Sequence, residues 1–255
     1  MKKTLLTLLA TCGVATGTEL TTIATWEQIL SQVTFPGGGV TLNKSYDGKV
    51  YTFDGTHALT GGTNDALNTA LSSTSSTYVT IAAWAKVDAV AVNNTIFGYG
   101  ESGKGFKMGL GADEPGGGVS IPAAFATTKD VEQILATTTD QTKWTMVAIT
   151  LSVNAGAVNG FKVFTGENVS ESTSTMNIPT TKTFSIGSQY GNGENEVFKG
   201  DIGNVMIFTS DAYATGAEIT AALGAAPTEV PEPATATLSL LALAGLAVRR
   251  RRKQA

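Results

Sequence analysis

The stretch from 78 to 87, Tyr-Val-Thr-Ile-Ala-Ala-Trp-Ala-Lys-Val, constrains the fold more than any other part of this chain. Val79, Ile81, Ala83, Ala85 and Val87 fall on one side of an extended backbone, while Tyr78, Thr80, Ala82, Trp84 and Lys86 fall on the other. An apolar row with period two belongs to a β-strand, because a helix would scatter the same residues around its circumference. Runs of the same character return at 50–54, 95–99, 106–110, 144–151, 161–165, 184–187 and 197–209. Turn formers separate them, such as Gly116, Gly117 and Gly118, or Asn192-Gly193. Many short strands with tight turns and almost no helical period predict an all-β protein, an antiparallel two-sheet jelly-roll sandwich. Short helical segments frame it: one or two turns within 26–32, before Pro36 and the glycines that follow, and a closing helix over 216–223, where Ile219 and Leu223 stand four apart.

Both ends of the chain break this pattern. Residues 1–17 read as a signal peptide, with Lys2 and Lys3 ahead of an apolar run and Ala15-Thr16-Gly17 as a small-x-small cleavage site. At the other end, 225–233 read as a linker carrying Pro231-Glu232-Pro233. An apolar stretch at 234–248 follows, and then Arg249, Arg250, Arg251, Arg252 and Lys253. The domain between these ends is 18–224, and the tail is 234–255. As a helix the apolar stretch reaches about 22 Å, whereas a hydrocarbon core is roughly 30 Å thick. It is short for a permanent anchor. The cationic end is expected to stay cytoplasmic and leave the bulk of the protein outside. A motif, a short apolar helix and a charged end are also the layout of signals that are removed after use.

Charge matters once the ends are set apart. The only cysteine, Cys12, and all four arginines lie in the terminal segments, so the mature domain is expected to lack disulfides and thiol chemistry. Ten lysines then face 21 acids, a net charge of about −11. A strongly anionic domain without arginine is unsuited to nucleic acid, where phosphate contacts dominate affinity.

Catalytic and cofactor patterns are weak. Gly98-Tyr99-Gly100-Glu101-Ser102-Gly103 matches a dinucleotide loop and nearly a phosphate loop, but both need a following helix, and 106–110 reads as strand. A glycine-rich hairpin is expected instead. Glu194 and Glu196 alternate and Asp113-Glu114 are adjacent, yet neither pair extends into the carboxylate pattern of retaining glucanases. His57 is the only histidine and follows Asp54-Gly55, which suggests a turn rather than a general base. No cofactor is expected. Calcium would need clustered loop oxygens, with Asp113, Glu114 and Asp201 as the conceivable donors. The remaining candidates are aromatic. Trp84 and Trp144 lie opposite the apolar row, with Tyr78, Thr80 and Lys86 as polar neighbours, as in a carbohydrate platform; the alternative is burial under a second layer.

Two resemblances sharpen this. Val230-Pro231-Glu232-Pro233, the apolar stretch and the arginine run resemble the PEP-CTERM sorting signal of Gram-negative bacteria. That resemblance implies processing near Pro-Glu-Pro by an exosortase-type membrane protease. A second set of residues is Tyr51-Thr52-Phe53-Asp54-Gly55, Val79-Thr80-Ile81-Ala82-Ala83-Trp84, Lys143-Trp144-Thr145-Met146-Val147, Phe184-Ser185-Ile186-Gly187 and Phe198-Lys199-Gly200-Asp201-Ile202. In that order they resemble the laminin-G-like, concanavalin-A-like jelly roll over roughly 40–223. Members carry acidic residues after the Gly-x-Ile of the last strand; this chain has Gly203 and Asn204 there. The fold hosts lectins, glucanases, adhesive modules and spacers alike, so it does not choose a function. The expectation is an exported, non-catalytic surface or matrix protein that binds polysaccharide or another extracellular polymer, or serves as a structural module. The alternative is a glycoside hydrolase or lyase of the same fold.

Overall fold

The computed structural model describes residues 17–88, 94–101, 104–113, 121–128, 131–137, 140–177, 183–189 and 196–230. Residues 1–16, read above as most of a signal peptide, the expected turns at Gly116 to Gly118 and Asn192-Gly193, and the tail from Pro231 lie outside them. Along the described chain come β1 Thr21–Ala24, α1 Trp26–Leu30, β2 Val33–Thr34, β3 Val40–Leu42, β4 Val50–Asp54, β5 Leu59–Thr63 and α2 Asp65–Leu71. Next are β6 Thr77–Val87, β7 Thr95–Glu101, β8 Lys104–Asp113, β9 Ile121–Thr128, β10 Val131–Thr137 and β11 Thr145–Asn154. The last are β12 Ala157–Thr165, β13 Asn168–Ser172, β14 Met176–Asn177, β15 Thr183–Ile186, β16 Lys199–Ser210 and α3 Gly216–Leu223.

Two antiparallel sheets face each other. One runs β13-β12-β11-β6-β16-β4-β3, with β1 added to β16 and β14 to β12. The other runs β10-β9-β8-β7-β15-β5-β2. The chain passes repeatedly from one to the other, which is the jelly-roll sandwich that the sequence predicts. The odd-numbered side of β6 supplies the core: Val79, Ile81, Ala83, Ala85 and Val87 pack with Val147, Ile149 and Leu151 of β11. The facing sheet contributes stacked rings, with Phe97 5.8 Å from Phe184 and Tyr99 5.3 Å from Phe106. Such pairs add to the gain from burial alone.

The even-numbered side of β6 is not simply solvent-facing. Ala82 joins Met146, Ala148 and Phe208 under Ile219 and Leu223 of α3. The two alanines keep this part of the sheet low enough for the helix to lie on it. A capping box starts α3: the Glu218 amide donates to Thr215 Oγ1 and the Glu218 carboxylate accepts from the Thr215 amide at 2.7 Å. The same carboxylate accepts the Thr18 amide at 2.7 Å, so the start of the domain is pinned to its last helix.

Three local outcomes bear on function. Gly98 to Glu101 end β7, Gly100 opposes Gly105 on β8, and the described residues that follow the glycine stretch form a strand where a phosphate loop requires a helix. Strands β9 and β10 lie in an alanine- and threonine-rich region where alternation is too faint to mark them; pairing with β8 makes them a sheet. The described part of the segment read as a linker, residues 225–230, is bonded to the domain. Glu229 bridges Tyr46, the Asp47 amide donates to the Thr228 carbonyl at 2.8 Å, and the Val230 amide donates to the Ser45 carbonyl at 2.9 Å. Backbone pairing of this kind leaves no trace in composition. Among the described residues no helix is long and apolar enough to cross a membrane.

Candidate functional site

Trp84 leaves β6 on the side that carries α3. Its neighbours across the ladder are Met146 on β11 and Gly203 on β16. Gly203 matters because a Cβ there would press on Pro227 and Val50 at 3.1 and 3.2 Å and come near the Trp144 ring. Trp144 stands one residue before β11 and takes the Tyr46 ring edge-on at 5.3 Å. The Trp84 indole N–H donates to the Gly224 carbonyl at 3.0 Å, just past the end of α3. The two half-buried indoles, with Met146, Thr165, Glu167 and Thr220, border a cleft of about 570 Å³ between the sheet and α3. The Trp144 indole N–H is buried and finds no acceptor among the described residues.

Behind Trp144 sits a buried polar cluster. Asp201 accepts from Thr52 Oγ1 and from Asn43 Nδ2 at 3.2 Å, and its other oxygen lies 3.2 Å from Lys86 Nζ. Lys86 also donates to the Tyr46 hydroxyl and stands 5.6 Å from the Trp144 ring centroid. Burial pulls the Lys86 pKa down, but the hydrogen bonds to Tyr46 and Asp201 outweigh it and hold the value above the ordinary lysine range. Lys86 is therefore charged and engaged by its neighbours.

Of the four ligand candidates, Trp84 and Trp144 share the cleft. Lys86 backs it from the Asp201 cluster. Tyr78 is six residues from Trp84 along β6, about 20 Å at ~3.3 Å per residue, and it packs on Tyr213 at 4.4 Å. Sequence reasoning passed over Tyr46, Glu167 and Thr220, which reach the cleft region from loops and from α3; no local pattern marks them. Asn204 has a left-handed backbone at φ 52, and its amide donates to the Leu223 carbonyl. It closes α3, at a position where resemblance leads one to expect an acid. Pro231, Glu232, Pro233 and the four arginines lie outside the described residues.

The carboxylates divide similarly. Glu196 is ion-paired with Lys107 and accepts from Thr95 Oγ1 at 3.3 Å. Glu114 and Glu194 lie outside the described residues, and Asp113 ends β8. Among the described residues no group of three or more His, Cys, Asp or Glu side chains is placed to hold a metal ion.

His57 belongs to a turn. Asp54 accepts from the Thr56 amide and hydroxyl, both at 2.7 Å, from the His57 amide at 3.1 Å and from His57 Nδ1 at 3.4 Å. The Thr56 hydroxyl leads in lowering the Asp54 pKa from 3.8 to about 2. A depressed carboxylate pKa stabilises the fold above the unfolded value, and that contribution is lost as pH falls through the folded one. The Asp54 side chain is 43% exposed, so solvent screens the interaction and the effect is small. The Tm of the wild type is expected to fall more than that of Asp54→Asn between about pH 4 and pH 2; parallel melting curves would remove the turn as the cause.

Residues 60–219, well over half the chain, match the family described as the concanavalin A-like lectin/glucanases superfamily. The chain belongs to this superfamily. Residues 229–253 match the PEP-CTERM protein-sorting motif. Similar solved structures include domain 4 of AbnA, a GH43 extracellular arabinanase from Geobacillus stearothermophilus, in complex with arabinotriose. It is 15% identical, with 74% of this chain and 82% of that one covered and a TM-score of 0.48. Trypanosoma rangeli sialidase is 12% identical over 74% of this chain and 31% of its own, with a TM-score of 0.44. The binding domain of botulinum neurotoxin serotype D is 12% identical over 75% and 45%, with a TM-score of 0.41. The chain spans less than half of the sialidase and toxin chains. No curated protein matches the chain in sequence. Superfamily membership sets the architecture without choosing between binding and hydrolysis.

Proposed function

We propose that this protein is an exported, non-catalytic module that binds polysaccharide or another extracellular polymer at the cell surface or in the matrix of a Gram-negative bacterium. The cleft flanked by Trp84 and Trp144 carries the reading. Aromatic faces accept the apolar face of a sugar ring, and the Thr165, Thr220 and Glu167 side chains offer partners for its hydroxyls. A retaining hydrolase of this architecture would instead need two carboxyls about 5 Å apart, one with a raised pKa. Here Asp201 and Glu196 are ion-paired with lysines, and among the described residues the acids with a resolved shift, Asp54, Asp140 and Glu218, are all pushed down. The sorting motif supports delivery: the apolar stretch 234–248 enters the membrane, an exosortase-type protease processes the chain near Pro231-Glu232-Pro233, and the cationic tail is removed.

A panel of extracellular polysaccharides tests the binding function. Trp84→Ala and Trp144→Ala are each expected to weaken binding at least tenfold, the factor that about 1.4 kcal/mol represents. Tyr78→Ala, at the far end of β6, is expected to leave it unchanged. Undiminished binding by folded protein carrying both tryptophan substitutions would overturn the assignment.

A further inference from the structure

We propose that, while the tail is still attached, the corner of the domain from which it departs lies against the membrane surface, with Phe35, Leu42 and Val230 touching the lipid headgroup layer. This rests on the reading of 234–248 as membrane-inserted during sorting.

The chain leaves no slack at this corner. The sorting motif begins at residue 229, and its first two residues are already hydrogen-bonded to the folded domain. Trp84 holds the start of the same segment through the Gly224 carbonyl, and Pro227 packs at Gly203. Four peptide steps separate Val230 from Ala234, where the apolar stretch starts. Fully extended they reach about 14 Å. The headgroup region occupies about 5–7 Å on each side of the hydrocarbon. A domain tethered this closely has under about 10 Å of clearance.

The surface at the same corner carries exposed apolar side chains. Four large apolar side chains stand exposed among the described residues: Phe35 at 41%, Leu42 at 46%, Val230 at 48% and Val169 at 52%. Three of the four gather here. Phe35 lies 5.3 Å from the Tyr51 ring, Tyr51 is the ladder partner of Leu42, and Val230 is bonded to Ser45, three residues beyond Leu42. Val169 is on β13 at the opposite edge of the same sheet. Exposed apolar clusters of this kind mark contact surfaces.

Charge does not supply the attraction. Exposed Lys44 and Lys49 are balanced by exposed Glu27, Asp47 and Glu229, and the domain as a whole is anionic. The tether does the concentrating, as it does for any linked second contact, and the apolar side chains settle into the interface. The contact is therefore expected to be indifferent to the anionic lipid fraction.

The test uses the full chain with Cys12→Ser, reconstituted into vesicles of phosphatidylethanolamine and phosphatidylglycerol. A single fluorophore is attached at Leu42→Cys or at Val169→Cys, and the lipids carry a headgroup-level spin label. Both sites are exposed, so neither label disturbs the core. Quenching at position 42 is expected to exceed that at 169 by at least about twofold and to persist when phosphatidylcholine replaces the anionic lipid. Equal quenching at the two positions in protein that floats with the vesicles would overturn the proposal. Failure to float would instead overturn the membrane reading of the tail on which it rests.

Discussion

Phe53→Ala is expected to lower the unfolding free energy by about 3–5 kcal/mol, the largest effect of any single substitution considered for this domain. The ring is fully buried between the sheets and takes Phe198 edge-on at 6.1 Å. Its neighbours cannot refill the space. Gly187 faces the ring at φ 83 with no side chain, and Gly200, the ladder partner of Phe53, also lacks one at φ 141. A Cβ at Gly200 would fall against the Lys86 carbonyl, so the backbone there is already as close as it can come. A cavity that cannot collapse costs both transfer and packing terms. Urea denaturation with an unchanged m-value checks this. A loss below about 1.5 kcal/mol would mean that the neighbouring residues do close onto the vacated volume.

The second large effect is expected at Asp201. Asp201→Ala leaves Thr52 Oγ1 and Asn43 Nδ2 without their acceptor and strips Lys86 of its counter-ion. Breaking a buried pair from one side costs about 3–5 kcal/mol. Lys86 is about a quarter exposed (24%), so water recovers part of this, and a loss of about 2–3 kcal/mol is expected. The double substitution Lys86→Met with Asp201→Ala is expected to restore a substantial part of the loss, because no uncompensated charge then remains. Additive losses in that cycle would show that the carboxylate stabilises the fold through Thr52 and Asn43 alone. Since Lys86 and Tyr46 support the Trp144 ring, Asp201→Ala is also expected to weaken polymer binding.

The sandwich was readable because alternation is local. Each of β6, β11 and β16 declares which side chains share a face within a few residues, and α3 declares itself through Ile219 and Leu223. Position along a face is another matter. Period two places Tyr78, Trp84 and Lys86 on one side of β6, yet Trp84 borders the cleft, Lys86 backs it, and Tyr78 stacks on Tyr213 at the other end. The fate of Lys86 depends on Asp201, whose own partners lie 149 and 158 residues away in the chain. Strands β9 and β10 were missed because alanine and threonine alternate too weakly to contrast, and only the ladder with β8 defines them.

The contrast is clearest at the two ends of β6 and at residue 229. Sequence alone determined the two-sheet architecture, the acidic character of the region between the two ends and the sorting motif, because each is written in contiguous residues or in a short period. Tertiary structure alone decided that two tryptophans flank a cleft beside α3, that a partly buried lysine–aspartate pair supports one of them, and that the segment before the tail is bonded to the domain. Those outcomes depend on contacts between residues far apart in the chain, and no local pattern of side chains encodes which distant partner will be met.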